Sequence, residues 1–375
     1  MLRNKKFWVL IVVLVIAGIA FFLIPILLDG QTFYSSDLAG LNSKGVTNVT
    51  PLVPPLDKVA YDNKLIELAN NPPPPLPTTK VVKDPQTGLE TTITIPAKVL
   101  PPNIWPVKTV YPNDGAILPF KRIIAYYGNL YSTKMGALGQ DPEDIMLAKL
   151  DAEVKKWEIA DPNTPVLPAL HYIAVVAQGS EGTDGKYRAR MPSSEIDKVI
   201  AMAKKINGIV FLDVQVGFST VEQEIPLLEK YLKMPEVHLG LDPEFSMKTG
   251  IRPGKVVGTF DALDINYVAN YLAKIVRDNK LPPKILVIHR YTQNMVTNAT
   301  SIMPLPEVQI IMHMDGWGGA AKKINTYQQF VYKEPVQFTG FKLFYKNDIL
   351  TPGTVLMTPE ELLKLRPKPI YIQYQ

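Results

Sequence analysis

The chain reads as an α/β protein, a (β/α)8 TIM-type barrel preceded by a transmembrane helix and a proline-rich stalk. Three observations predict this. From residue 121 to 375, apolar strand-like runs alternate eight times with helical patterns, over a length near the ~250 residues typical of such a barrel. The connections in that region are short on one side and long on the other. Ahead of it, residues 7–28 form one uncharged apolar run, and residues 29–119 are dense in proline.

Residues 1–6 are a basic flank carrying Arg3, Lys5 and Lys6. A helix rises ~1.5 Å per residue, so the run Phe7 to Leu28 suits a hydrocarbon core of ~30 Å. The positive flank is expected to stay cytoplasmic. That makes the chain a single-pass protein of the cell membrane with its C-terminal domain extracytoplasmic. A cleaved signal peptide is the alternative, but its apolar region is only roughly 7–15 residues and ends in a small-x-small site. The apolar run here is longer than that.

Residues 29–119 hold Pro51, Pro54, Pro55, Pro72 to Pro75, Pro77, Pro101, Pro102, Pro106, Pro112 and Pro119. Proline fixes φ and removes a backbone donor, so long helices and central strands are not expected there. A semi-rigid stalk is. Within it, Thr91 to Ile95 has strand character and belongs to a hairpin over Lys80 to Lys98 that packs on the barrel; Trp105 and Tyr111 are docking points.

The barrel occupies 120–375. Its strands are expected at 122–127, 166–176, 208–215, 236–242, 284–289, 308–315, 337–345 and 369–374. Helices are expected at 141–157, 193–206, 221–232, 265–279, 293–303, 320–331 and 359–365, the last capped by Thr358. A doubly wound sheet is the rival, and it wants a glycine-rich phosphate turn. Gly316-Trp-Gly-Gly319 lacks that spacing.

Composition excludes several classes. Lys plus Arg is 40 against 35 for Asp plus Glu, and no basic stripe appears, so no nucleic-acid partner is expected. There is no cysteine, hence no disulfide, thiolate metal site or cysteine nucleophile. Tight metal-ligand spacing and nucleophile elbows are missing, so neither metal nor cofactor is expected.

Helix-to-strand connections such as Asn207-Gly208 and Met234-Pro235 are short, whereas strand-to-helix connections 128–140, 177–192 and 245–263 are long. In such barrels the strand C-termini build the active site. Polar residues gather there: Tyr126 and Tyr127 end the first strand, Asp213 and Gln215 the third, Asp242 and Glu244 the fourth, His289 and Arg290 the fifth. His313, Asp315 and Trp317 end the sixth, Tyr345 the seventh, and His171 lies in the second. Residues two apart share a face, so Asp213 with Gln215, Asp242 with Glu244, and His313 with Asp315 point together. Buried polar groups cost free energy unless paired. Polar ends on several strands therefore indicate one shared cavity, although any single Asp here also reads as a turn or helix cap. His238, in mid-strand, reads as a packed interior residue.

Paired carboxylates with aromatic platforms are the glycosidase arrangement. Glu244 is the candidate general acid, its pKa raised by burial and by Asp242. Asp213 or Asp315 is its partner. Tyr127 and Trp317 offer stacking surfaces, His289 and Gln215 offer hydrogen bonds to hydroxyls, and Tyr126, His171, Arg290 and Tyr345 are further candidate contacts to a polysaccharide. Asp242-Pro243-Glu244 resembles the Asp-x-Glu ending of chitinase-type barrels. The preceding acidic positions of that motif are here His238 and Gly240, so the resemblance extends to extracellular glycoside-hydrolase-like barrels in general and implies a carbohydrate-active hydrolase. Two alternatives stand beside it: a phosphodiesterase-like site using His171, His289, Asp213 and Asp242, and a non-catalytic surface barrel that grips a polymer.

Overall fold

The structure, a computed structural model, describes residues 55–98 and 101–375. The expected transmembrane run and basic flank lie outside the described residues. Among the described residues, no helix is long and apolar enough to cross a membrane.

Eight parallel strands close a barrel: β1 Arg122–Gly128, β2 Val166–Ala177, β3 Ile209–Val214, β4 Val237–Leu241, β5 Lys284–Arg290, β6 Val308–Met314, β7 Phe338–Leu343 and β8 Tyr371–Tyr374. Each pairs with its sequence neighbour, and β8 pairs with β1 through Tyr371↔Ile123 to Tyr374↔Tyr126. Side chains alternate along each strand. Ile124, Leu170, Val210, Leu239, Leu286, Ile310 and Ile372 face outward into the layer shared with the helices. Ile123, Ala169, Phe211, Val287, Ile311 and Phe338 point inward and fill the lower barrel. The strands are buried on both faces, which is why they read as continuous apolar runs.

The helical layer departs from expectation in three places. The segment 221–232 is not one helix, because Pro226 interrupts it and Ile225–Leu228 tightens into a 3-10 turn. Residues 293–303 form two 3-10 turns, Gln293–Met295 and Ala299–Ser301, around Val296–Thr297, which pairs with Phe260–Asp261. β-Branched Val296 and Thr297 favour extension, and Asn298 sits at φ 54°, outside the helical region. The helix begun at Ala320 stays α-helical to Tyr327 and widens into a π turn over Gln328–Tyr332. The cap at Thr358 is present as a reciprocal box with Glu361.

The proline-rich segment is not a plain stalk over its described length. Lys58–Ala69 is a helix capped by Asp57, whose side chain accepts from the Ala60 amide at 2.9 Å. Its Tyr61 and Leu68 join Leu118, Ile123, Ile285 and Ile370 in the apolar layer at the strand N-termini, so the helix closes the bottom of the barrel. Trp105 is buried and donates to the Tyr332 carbonyl at 2.9 Å, a docking point as expected. Tyr111 meets Tyr61 edge-on and bonds Asp62. The expected hairpin exists as Thr78–Lys83 paired with Glu90–Ile95. Every residue of both strands is exposed, so it does not pack on the barrel.

Candidate functional site

The inward positions turn polar above the apolar layer. In strand order they are Tyr127 on β1, His171 on β2, Asp213 on β3, Gly240 on β4, His289 on β5, His313 on β6, Gly340 on β7 and Tyr371 on β8. Two of these positions are glycine for a steric reason. A Cβ on Gly240 would lie 2.4 Å from both Asp213 Oδ1 and His171 Nε2, and one on Gly340 would lie 2.5 Å from His313 Nδ1. The missing side chains leave the room that the histidines and Asp213 occupy.

The polar residues form two tiers. The lower one is sealed from solvent. In it, Gln373 Nε2 donates to the Tyr371 hydroxyl at 2.9 Å, and that hydroxyl lies 2.6 Å from His171 Nδ1. The hydroxyl proton has His171 Nδ1 as its acceptor, which leaves the His171 proton on Nε2, facing Asp213 Oδ1 at 3.2 Å. Tyr127 donates to Asp213 Oδ2 at 3.0 Å. His289 Nε2 lies 3.4 Å from Asp213 Oδ1, off the hydrogen-bonding axis, and its Nδ1 lies 2.8 Å from Asp315 Oδ2.

The upper tier opens into a cavity of about 300 Å³ lined by Tyr127, Gln215, Asp242, Glu244, Tyr291, Asp315, Trp317 and Lys342. Gln215 Nε2 donates to Asp242 Oδ2 at 3.1 Å, and the Glu244 amide donates to Asp242 Oδ1 at 3.1 Å. The Lys342 ammonium pairs with Asp315 Oδ1 at 2.9 Å and lies 3.9 Å from the centre of the Tyr127 ring. Trp317 stands at the rim, 50% exposed. Its loop is pinned by the Gly318 amide donating to Asp348 Oδ1 at 2.9 Å, and Asp348 is itself paired with buried Lys323.

The electrostatics divide the carboxyls. Burial raises Glu244, and the charge of Asp315 raises it further. Burial likewise pushes Asp242 well up, against the pull of His289. Burial opposes ionisation of Asp315 and Asp213 too, but neighbouring cations and hydrogen-bond donors outweigh it. Lys342 and His289 hold Asp315 below the usual carboxylate range, and His289 with His171 does so for Asp213. Burial lowers His171 to about 4, whereas Asp213 and Asp315 overcome burial and lift His289 to about 10.

His171, Asp213 and His289 also place one ligand atom each within 4.8 Å of one another, a set invisible in their sequence spacing. The donor chemistry does not fit a metal. The His171 Nδ1 lone pair is taken by Tyr371 and its Nε2 proton by Asp213, and the two positive groups His289 and Lys342 already face the two ionised carboxylates.

The structure thus brings Tyr127, Gln215, Asp242, Glu244, Asp315 and Trp317 to one cavity. His171, His289 and Asp213 lie beneath its floor, so neither the histidines nor Asp213 meet a ligand there directly. Three expected contacts fall elsewhere. Tyr126 and Tyr345 point outward, their hydroxyls 3.1 Å apart beside Glu153. Arg290 also points outward and ties down the following loop through the carbonyls of Gln293, Val296 and Phe330. Strand alternation is the reason, since each neighbours an inward residue. Lys342 and Tyr291 were missed. A lysine two residues after Gly340 in the buried strand Phe338–Leu343 is the signal for the first, and Tyr291, two after His289, shares its face. His238 is buried inside the barrel as expected, its Nδ1 accepting from the Ile285 amide at 3.1 Å.

No family profile and no curated protein matches the chain. Among solved structures, a Bacillus subtilis mannanase aligns over 68% of this chain and 80% of its own at 14% identity, with a TM-score of 0.36. A likeness of that size carries no argument about function. The fold rests on the closed strand order itself.

Proposed function

We propose that the protein is a carbohydrate-active hydrolase whose general acid is Glu244 and whose ionised partner is Asp315. The observation that carries this reading is the division within one cavity: Glu244 is raised by burial while Asp315 is held down by Lys342 and His289. Carboxyls pushed apart in this way identify an acid and a base or nucleophile. Glu244 donates a proton to the departing glycosidic oxygen. Asp315 either attacks the anomeric carbon or activates a water. Tyr291 lines the same cavity beside Glu244 and offers its hydroxyl to the substrate. Trp317 offers a stacking face at the rim, and Gln215 with Asp242 meets hydroxyls. Asp213, an expected partner, is assigned to support because it is sealed under the floor.

On the sequence of residues 1–28, the same proposal anchors the chain in the cell membrane with the barrel outside, facing an envelope or extracellular polysaccharide. The test is activity of the full chain on a polysaccharide panel, beside Glu244→Gln and Asp315→Asn. Hydrolysis lost in both variants, with circular dichroism unchanged, supports the reading. Polymer binding without turnover, indifferent to both substitutions, replaces it with a surface binding module.

A further inference from the structure

We propose that His289 is a positioning residue for Asp315, a doubly protonated imidazole wedged between Asp315 above and Asp213 below. The inference rests on the assignment of Asp315 to the site and adds what holds that carboxylate.

The geometry is a column. Asp315 takes His289 Nδ1 on one oxygen at 2.8 Å and Lys342 on the other at 2.9 Å. The grip comes from β5 and β7, on either side of the β6 terminus that carries Asp315. A carboxylate held by two cations from opposite neighbours has little freedom to rotate. Below, Asp213 presents Oδ1 to His289 Nε2 at 3.4 Å. Asp213 is itself fixed by donors from two further strands, the Tyr127 hydroxyl and His171 Nε2–H. His171 cannot surrender that proton easily, because its other nitrogen accepts from Tyr371. Asp213 and Asp315 set against His289 and Lys342 come near neutrality only when His289 carries both protons.

The remaining groups facing His289 do not alter that balance. His313 on β6 stands 5.1 Å away ring to ring, has no hydrogen-bond partner on either nitrogen, and is held neutral by burial. Burial pushes Asp242, just past β4, well above the usual carboxylate range. Tyr127 on β1 closes the column from above, its ring centre 5.7 Å from that of His289. Burial keeps the Tyr127 and Tyr371 hydroxyls protonated.

The chain has four histidines, and all four lie buried inside the barrel, so histidine spectra report on this interior alone. The experiment is nitrogen NMR of the full chain labelled in histidine with ¹⁵N and in the aspartate carboxyl with ¹³C. At pH 8 the expected spectrum has one histidine protonated on both nitrogens and three neutral ones, and the cationic signal is absent from His289→Gln. In that variant the Asp315 carboxyl titrates at higher pH, and with a cleavable substrate the acid limb of kcat moves up by about the same amount while KM changes less than kcat. Four neutral histidines at pH 8 overturn the proposal, as does an Asp315 titration unmoved by the substitution. If His289→Gln does not fold, the wild-type spectrum alone decides. Absence of hydrolysis on any polymer, with the imidazolium and Asp315 shifts observed, removes the proposed activity and leaves the column standing.

Discussion

Gly240 has no side chain, and its neighbours depend on that. An added methyl would meet the Asp213 carboxylate and the His171 ring at 2.4 Å, and neither can retreat because each is hydrogen-bonded on its far side. Overpacking of this kind costs about 1–3 kcal/mol, so Gly240→Ala is expected to lower the urea midpoint by that equivalent. Loss of a general acid lowers rates by roughly 10²–10⁴-fold, and Glu244→Gln should reduce kcat within that range while leaving the urea midpoint unchanged. Trp317→Ala should raise KM for polymer more than it lowers kcat, because an exposed rim residue contributes binding rather than proton transfer. Asp242, Glu244 and Asp315 are legible in the sequence because a charge ending an apolar strand has few places to go. Arg290, Tyr126 and Tyr345 obey the same rule but sit one residue out of phase, so their polar ends emerge on the helix side. Lys342 was hidden by its long stem, which reads as surface in a list of residue types.

The helix Lys58–Ala69 is an element that proline obscured. Prolines fall on both sides of it, yet none falls within, and Asp57 supplies the start. Its inward residues Tyr61, Leu65 and Leu68 follow helical spacing, with charged residues between them. Removing the cap typically costs about 1 kcal/mol, and Leu68→Ala, which opens a hole in the bottom layer, about 2–5 kcal/mol. Thermal melts of Asp57→Ala and Leu68→Ala should therefore fall in that order of severity, with the upper cavity unaffected. The broken segment at Pro226 was visible in principle, since proline inside a helical pattern stops it. The turns at 293–303 were less so, because their conformation depends on pairing with Phe260–Asp261, more than thirty residues earlier.

At the scale of the molecule, the eightfold alternation carried the architecture, because a barrel strand buried on both faces reads as a mostly apolar run in which the polar residues are few. What the alternation could not convey is charge balance in the interior, and that sets the response to pH. His289 is raised to about 10 in the fold, so its contribution is fully present below its unfolded value of about 6.5 and is lost as pH climbs toward 10. His171 is lowered to about 4, so the unfolded chain binds its proton first and stability falls as pH drops below about 6.5. Asp213 and Asp315, both depressed, add a further loss below about 3.8. Urea midpoints measured across pH should thus fall on the acid side below about 6.5, and the stabilisation of the wild type relative to His289→Gln should shrink as pH climbs from about 6.5 toward 10. The exposed hairpin has a practical consequence of another kind. Its turn, Asp84 to Leu89, projects from strands that bury nothing, and the Asp84 amide donating to the Leu89 carbonyl at 2.9 Å closes it locally. A peptide epitope or fluorescent label inserted between Gln86 and Thr87 would be carried on an outrigger, displacing no buried side chain of the hairpin.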